Sequence, residues 1–150
     1  MMATTYTAIL LHIIFSTKNR EPSITPAVET ELYAYIGGVC RGTGSVLLDA
    51  NGTTDHVHLL VSLGKTTSIS ELMLQVKRDS STWIKTKGPE FAEFHWQEGY
   101  AALSIGRSQV STLKGYLAKQ KAHHREVSFR EEFIDFLRKY EIPFDERYLD

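Results

Sequence analysis

The chain has 150 residues, 42% of them hydrophobic and 23% charged, with a formal net charge of −1. This is ordinary globular composition, and the length suits one domain over residues 1–150 built on a single core. The lone Cys40 excludes a disulfide framework and a thiolate zinc site and fits a reducing cytoplasm. No apolar run approaches the roughly 20 residues of a membrane span. No basic region precedes the apolar stretch Ala8–Ile14, so a secretion leader is not expected.

As a total, the charge speaks against a nucleic-acid partner, because phosphates ordinarily select a basic protein. Its distribution speaks otherwise. Residues 61–125 carry +5, while residues 21–60 and 126–150 carry −4 each. The near-zero sum averages unlike parts, which permits a local face for an anionic ligand.

Tyr6–Phe15 is rich in β-branched and aromatic residues and apolar on both parities, the pattern of a buried central strand. Ser16–Pro22 is a polar exit loop. A helix is expected from Pro26 to about Ile36, ended by Gly37-Gly38. Ser45–Ala50 is a short strand, Asn51–Asp55 a turn with the Asn-Gly hairpin signature, and His56–Leu63 the returning strand. Thr67 or Ser68 followed by Glu71 reads as a helix cap, with helical spacing kept to about Lys87. Phe94–Ile105 is a further strand. Ser108 or Ser111 begins a helix to about Glu126, and Phe129–Tyr140 is amphipathic, with Phe129, Phe133, Phe136 and Leu137 on one stripe. The order suggests an α+β fold: a ferredoxin-like antiparallel sheet with helices on one face and added C-terminal helices.

His56-Val57-His58 lies on a strand, where residues i and i+2 share a face, so the two imidazoles project together. Such a pair holds a divalent ion if a third ligand arrives from elsewhere; two satisfied structural histidines fit the same pattern. Tyr116 and Gln120 are at i and i+4 of a helix and share a face. Gln120 offers an amide oxygen to a hard cation, beside which Tyr116 would lie; a surface helix with a half-buried tyrosine fits equally. Gly115 stands mid-helix against propensity, marking close approach of a partner, a hinge, or nothing. Asp55 either orients His56 as a second acceptor or closes the turn. His12 reads as a core histidine or one that supports a metal ligand, His95 as structural, and His123 as near the Tyr116 face, within reach of DNA. The Phe129–Leu137 stripe reads as packing, without a ligand.

Together, Asp55-His56-Val57-His58 and Tyr116-x-x-x-Gln120 resemble the single-tyrosine HUH transposases, the small insertion-sequence enzymes and the related REP-associated tyrosine transposases. The resemblance extends through Phe15-Ser16-Thr17-Lys18, Ser70–Ile84, Trp96–Tyr100 and Asp145–Leu149. It implies that His56, His58 and Gln120 bind one Mg²⁺ or Mn²⁺ and that Tyr116 attacks the scissile phosphate, leaving a 5′-phosphotyrosine and a free 3′-hydroxyl. It further implies single-stranded DNA with hairpin ends as the partner, a homodimer, no membrane, and action at the nucleoid in the cytoplasm of a bacterial or archaeal cell. Lys18, Arg20, Lys77, Arg78, Lys85, Lys114 and Lys119 are the candidates for tracking phosphates. Two other functions fit the same resemblance: a domesticated hairpin-binding protein without transposition, and a replication-initiator or relaxase-like nickase.

Overall fold

The computed structural model describes residues 4–149. Its elements are β1 (Leu10–Ser16), α1 (Pro26–Gly42), β2 (Val46–Gly52), β3 (His56–Ser62), α2 (Ile69–Ile84), β4 (Ala101–Ile105), α3 (Val110–Ala118), α4 (Gln120–His123) and α5 (Phe129–Lys139), with short 3₁₀ turns between them. The four strands form one antiparallel sheet in the order β2-β3-β1-β4, the ferredoxin-like arrangement expected from the sequence. All seven residues of β1 are buried, as its apolar run requires of a central strand.

Strand alternation divides the interior into two layers. Leu11, Ile13 and Phe15 of β1 and Val57, Leu59 and Val61 of β3 face α1 and α2, meeting Val28, Leu32, Ile36, Leu72, Met73 and Val76. The opposite parity points the other way, where Ile14, Ala101 and Leu103 pack against Phe129 of α5, with Phe133 and Phe136 alongside. Burial of Phe129 contributes about 2 kcal/mol. His12, His56 and His58 share this second face.

Several elements depart from the pattern read in the sequence. Helix α1 passes through Gly37 and Gly38 because Val28, Leu32, Ile36 and Cys40 keep one buried face along it. It stops at Gly44, whose φ of 81° lets Ser45 N–H reach the Cys40 carbonyl and Gly44 N–H the Arg41 carbonyl. Asn51-Gly52 is not the hairpin turn: both residues pair within the sheet, opposite His58 and Val57, and the turn is Thr53–Asp55. Gly52 is required for another reason, since a Cβ there would stand 2.2 Å from the His56 carbonyl oxygen.

The expected strand over Phe94–Ile105 shortens to β4. Before it, Trp96 makes a single bridge to Thr17 and its ring packs edge-on to Phe15 at 4.7 Å, while Gly99 turns the chain with a φ of 85°. The helix expected to run to Glu126 breaks at Lys119, between α3 and α4. Neither Ser108 nor Ser111 caps it; the Gly106 N–H donates to Oε1 of Gln109 at 2.8 Å instead. Gly115 is exposed, and a Cβ there would meet no atom within 4 Å, so no close approach explains it.

Candidate metal and nucleophile site

His56 and His58 are both fully buried on the face covered by α5, with Val57 buried on the other. Each ring is fixed through Nδ1. Asp55 Oδ1 lies 2.8 Å from Nδ1 of His56, with Thr53 Oγ1 at 3.0 Å, and His12 Nε2 lies 2.7 Å from Nδ1 of His58. A partner on Nδ1 turns Nε2 inward, the arrangement that orients histidine toward a cation. Burial pushes His12 down to about 3, helped by the charge of His58; burial also lowers His58, against the opposing pull of Glu132. Neutral imidazole is the form that can ligate.

Gln120 opens α4 and is fully buried, with Oε1 3.0 Å from Nε2 of His56. Its Nε2 donates to Oε2 of Glu132 at 2.9 Å, which fixes the amide's orientation. Oε1 of Gln120 and Nε2 of His56 are thus close enough to serve one cation together.

Two further side chains complete the cluster. Glu132 of α5 is 2% exposed, and its Oε1 lies 2.8 Å from Nε2 of His58, 3.1 Å from Nε2 of His124 and 3.6 Å from Nε2 of His56. Nε2 of His124 is buried beside that oxygen. One ligand atom from each of His56, His58, His124 and Glu132 lies within 4.8 Å of every other. Donors about 2.1 Å from a six-coordinate cation stand about 3 Å apart along each edge, close to the spacings found. Imidazoles with a carboxylate and an amide oxygen suit Mn²⁺ and other divalent ions. Burial alone would raise the Glu132 carboxyl, but hydrogen bonds from His124 and His58, the charge of His58 and the Gln120 amide hold it well below the usual carboxylate range.

Tyr116 of α3 donates its phenolic hydrogen bond to Oε2 of Glu132. Burial raises the phenol above its ordinary value, and the hydrogen bond and charge of Glu132 raise it further. Tyr116 also borders a cavity of about 220 Å³ with His123, Asp135, Phe136 and Lys139. His123 packs beside the Tyr116 ring at 5.5 Å, near the face where the sequence puts it. Asn51 Nδ2 donates to the Leu117 carbonyl at 2.7 Å, holding α3 against the sheet.

His56, His58, Gln120, Tyr116 and Asp55 are therefore brought together. The basic candidates are not. Lys114 and Lys119 are exposed, two residues before and three after Tyr116 in the chain, and Arg20 lines a cavity with Asp55. Lys18, also exposed, borders a separate hollow with Glu90 and Glu93. Lys77, Arg78 and Lys85 belong to the α2 segment, whose helix packs on the other side of the sheet. Lys77 is a structural clamp there, donating to the carbonyls of Gln97 and Gly99, and burial lowers its ammonium to about 8.

Sequence reading missed Glu132 and His124. Glu132 stands three residues after Phe129 and four before Phe136, on the apolar stripe itself. A carboxylate on that face was the available signal, since the neighbouring Glu131 is accounted for by capping Ser128. His124 differs from His123 only by which side of α4 it leaves, and the break at Lys119 decides that.

No helix is long and apolar enough to cross a membrane among the described residues. No protein of curated function matches the chain. Among solved structures, it is similar to a candidate transposase from Deinococcus radiodurans R1, with 20% identity, a TM-score of 0.61, and coverage of 80% of this chain and 97% of that one. It is also similar to a REP-associated tyrosine transposase bound to a REP hairpin, with 14% identity, a TM-score of 0.61, and coverage of 85% and 76%. A family described as "Transposase IS200 like" matches residues 5–120. With that match taking in the paired histidines, the tyrosine and the glutamine, the chain belongs to the IS200-like transposase family.

Proposed function

We propose that this transposase cuts and rejoins single-stranded DNA through a 5′-phosphotyrosine at Tyr116, moving an insertion sequence whose ends fold as hairpins. The observation that carries this reading is that Tyr116 and the donor cluster meet on one carboxylate: Oε1 of Glu132 faces the histidines, and Oε2 faces Tyr116 and Gln120. His56, His58 and Gln120, joined by His124 and Glu132, would hold one Mg²⁺ or Mn²⁺, which supplies Lewis acidity at the scissile phosphate.

The remaining work falls to the chain's own residues. Asp55 and Thr53 orient His56, and His12 orients His58. Tyr116 attacks phosphorus: an Oη–P bond forms as the P–O3′ bond breaks, the phenol loses its proton, and the departing 3′-oxygen gains one. The ester keeps the energy of the phosphodiester, so a 3′-hydroxyl from another strand reverses the step without a nucleotide cofactor. Lys114 and Lys119 would meet phosphates beside the site. The hairpin held by the REP-associated relative supports hairpin recognition here. We place the protein at the nucleoid, as a homodimer of one-domain protomers.

Incubation with single-stranded hairpin DNA and Mn²⁺ tests the reading. A covalent protein–DNA adduct is expected, absent in Tyr116→Phe while DNA binding survives. An adduct that persists in that variant overturns the assignment.

A further inference from the structure

A cavity of about 600 Å³ adjoins the cluster and takes no part in the chemistry above. Asp55, His124 and Phe129 form part of its wall, and each touches His56: the carboxylate by a 2.8 Å hydrogen bond, the two rings at centroid distances of 4.3 and 4.5 Å. A strand whose phosphate lies at the cluster therefore brings an adjacent nucleotide to this opening.

The chemistry of the wall selects among the parts of a nucleotide. Arg20 and Lys121 are matched by Glu29 and Asp55, and the Lys121 ammonium is already held 2.7 Å from Oε1 of Glu29 and 3.1 Å from Oδ1 of Asn51. A phosphate would meet two carboxylates there, so the charge balance disfavours an anion. A nucleobase fits better, having apolar faces and an edge of mixed donors and acceptors. Pro26 and Phe129 offer the apolar surfaces, and Thr53 and Thr54 offer hydroxyls that both donate and accept. The volume is in the range of small-ligand cavities and admits a base with its sugar.

We infer that this cavity receives and reads one unstacked base of the single strand, from the nucleotide adjoining the scissile phosphate. The inference rests on the DNA-cleaving reading above, and it makes the chain itself a source of cleavage-site preference.

The test uses the full ¹⁵N-labelled chain without added metal, titrated to millimolar concentration with dAMP, dCMP, dGMP and dTMP separately, and with inorganic phosphate alone. Saturable amide shifts are expected at Thr53–Asp55 and around Phe129, with about tenfold preference between the best and worst base. Thr54→Trp, at an exposed turn position, should fill the mouth and abolish them. The inference is overturned if no nucleotide shifts these residues, if phosphate alone reproduces the shifts, or if they persist in Thr54→Trp. Because neither metal nor cleavage enters the measurement, base binding without a DNA adduct would count against the transposase mechanism and leave the cavity's role standing.

Discussion

The phenol of Tyr116 donates to the carboxylate of Glu132, sixteen residues further along the chain and on a different helix. The phenol is thus held protonated, and its oxygen is engaged by a group that also faces four imidazoles. In the proposed mechanism this contact has to open before Tyr116 can attack phosphorus. Glu132 lies on the C-terminal helix α5, outside residues 5–120 that the family match covers.

Glu132→Gln keeps the shape of the side chain and removes its charge. Divalent affinity should fall about 10–100-fold, the usual effect of altering a group that supports a metal site. Calorimetric titration with Mn²⁺ checks this. Unchanged affinity would show that Glu132 stands near the cation without holding it.

Asp55 touches His56 Nδ1 at 2.8 Å and would act on a bound cation only through that ring. Asp55→Asn should weaken Mn²⁺ binding by about 10–100-fold, while His56→Ala should abolish cleavage with the fold intact by circular dichroism. Full cleavage in the His56 variant would overturn the donor set.

Lys77 gives a pH dependence with a definite sign. Its ammonium titrates near 8 when folded, against an ordinary value of 10.5, so between those limits the unfolded chain binds more protons. Stability supplied by this group therefore rises as pH rises through that window. Urea titrations of wild type and Lys77→Met at neutral and alkaline pH should show the difference moving in favour of wild type. A difference that stays flat would contradict the burial of the charge.

Gly115→Ala should stabilise the protein by about 0.5–1 kcal/mol, since α3 loses a flexible interior residue and open space receives the methyl group. Thermal unfolding measures the gain. A loss of stability would mean that the position is constrained in a way its open surroundings do not show.

Much of this was legible in the sequence because short-range physics governs it. The apolar run of β1, the paired parity of His56 and His58, and the Ser68 cap all follow from periodicity and local hydrogen bonding. The failures occur where distant packing overrides a local rule. Asn51-Gly52 carries the strongest short turn signal, yet Asn51 is taken up by the Leu117 carbonyl and Gly52 by a crowded ladder position. Phe94–Tyr100 has strand composition, but Trp96 is drawn into the core, where its Nε1 donates to Ser80 Oγ at 3.0 Å. Glu132 was hidden for the same reason. A charge on an apolar stripe has meaning only once the stripe is known to cover two histidines.

Tyr116, Gln120 and the paired histidines contact one another within a single polypeptide. If the proposed cleavage uses this within-chain arrangement, mixing Tyr116→Phe with His56→Ala protein should give no adduct at any ratio, and an adduct would show that one protomer's tyrosine serves the donors of the other. On the same condition, specific activity should hold constant on dilution, because Tyr116 stands beside the donor cluster of its own chain. Any pairing of two chains would then leave each centre built from one polypeptide.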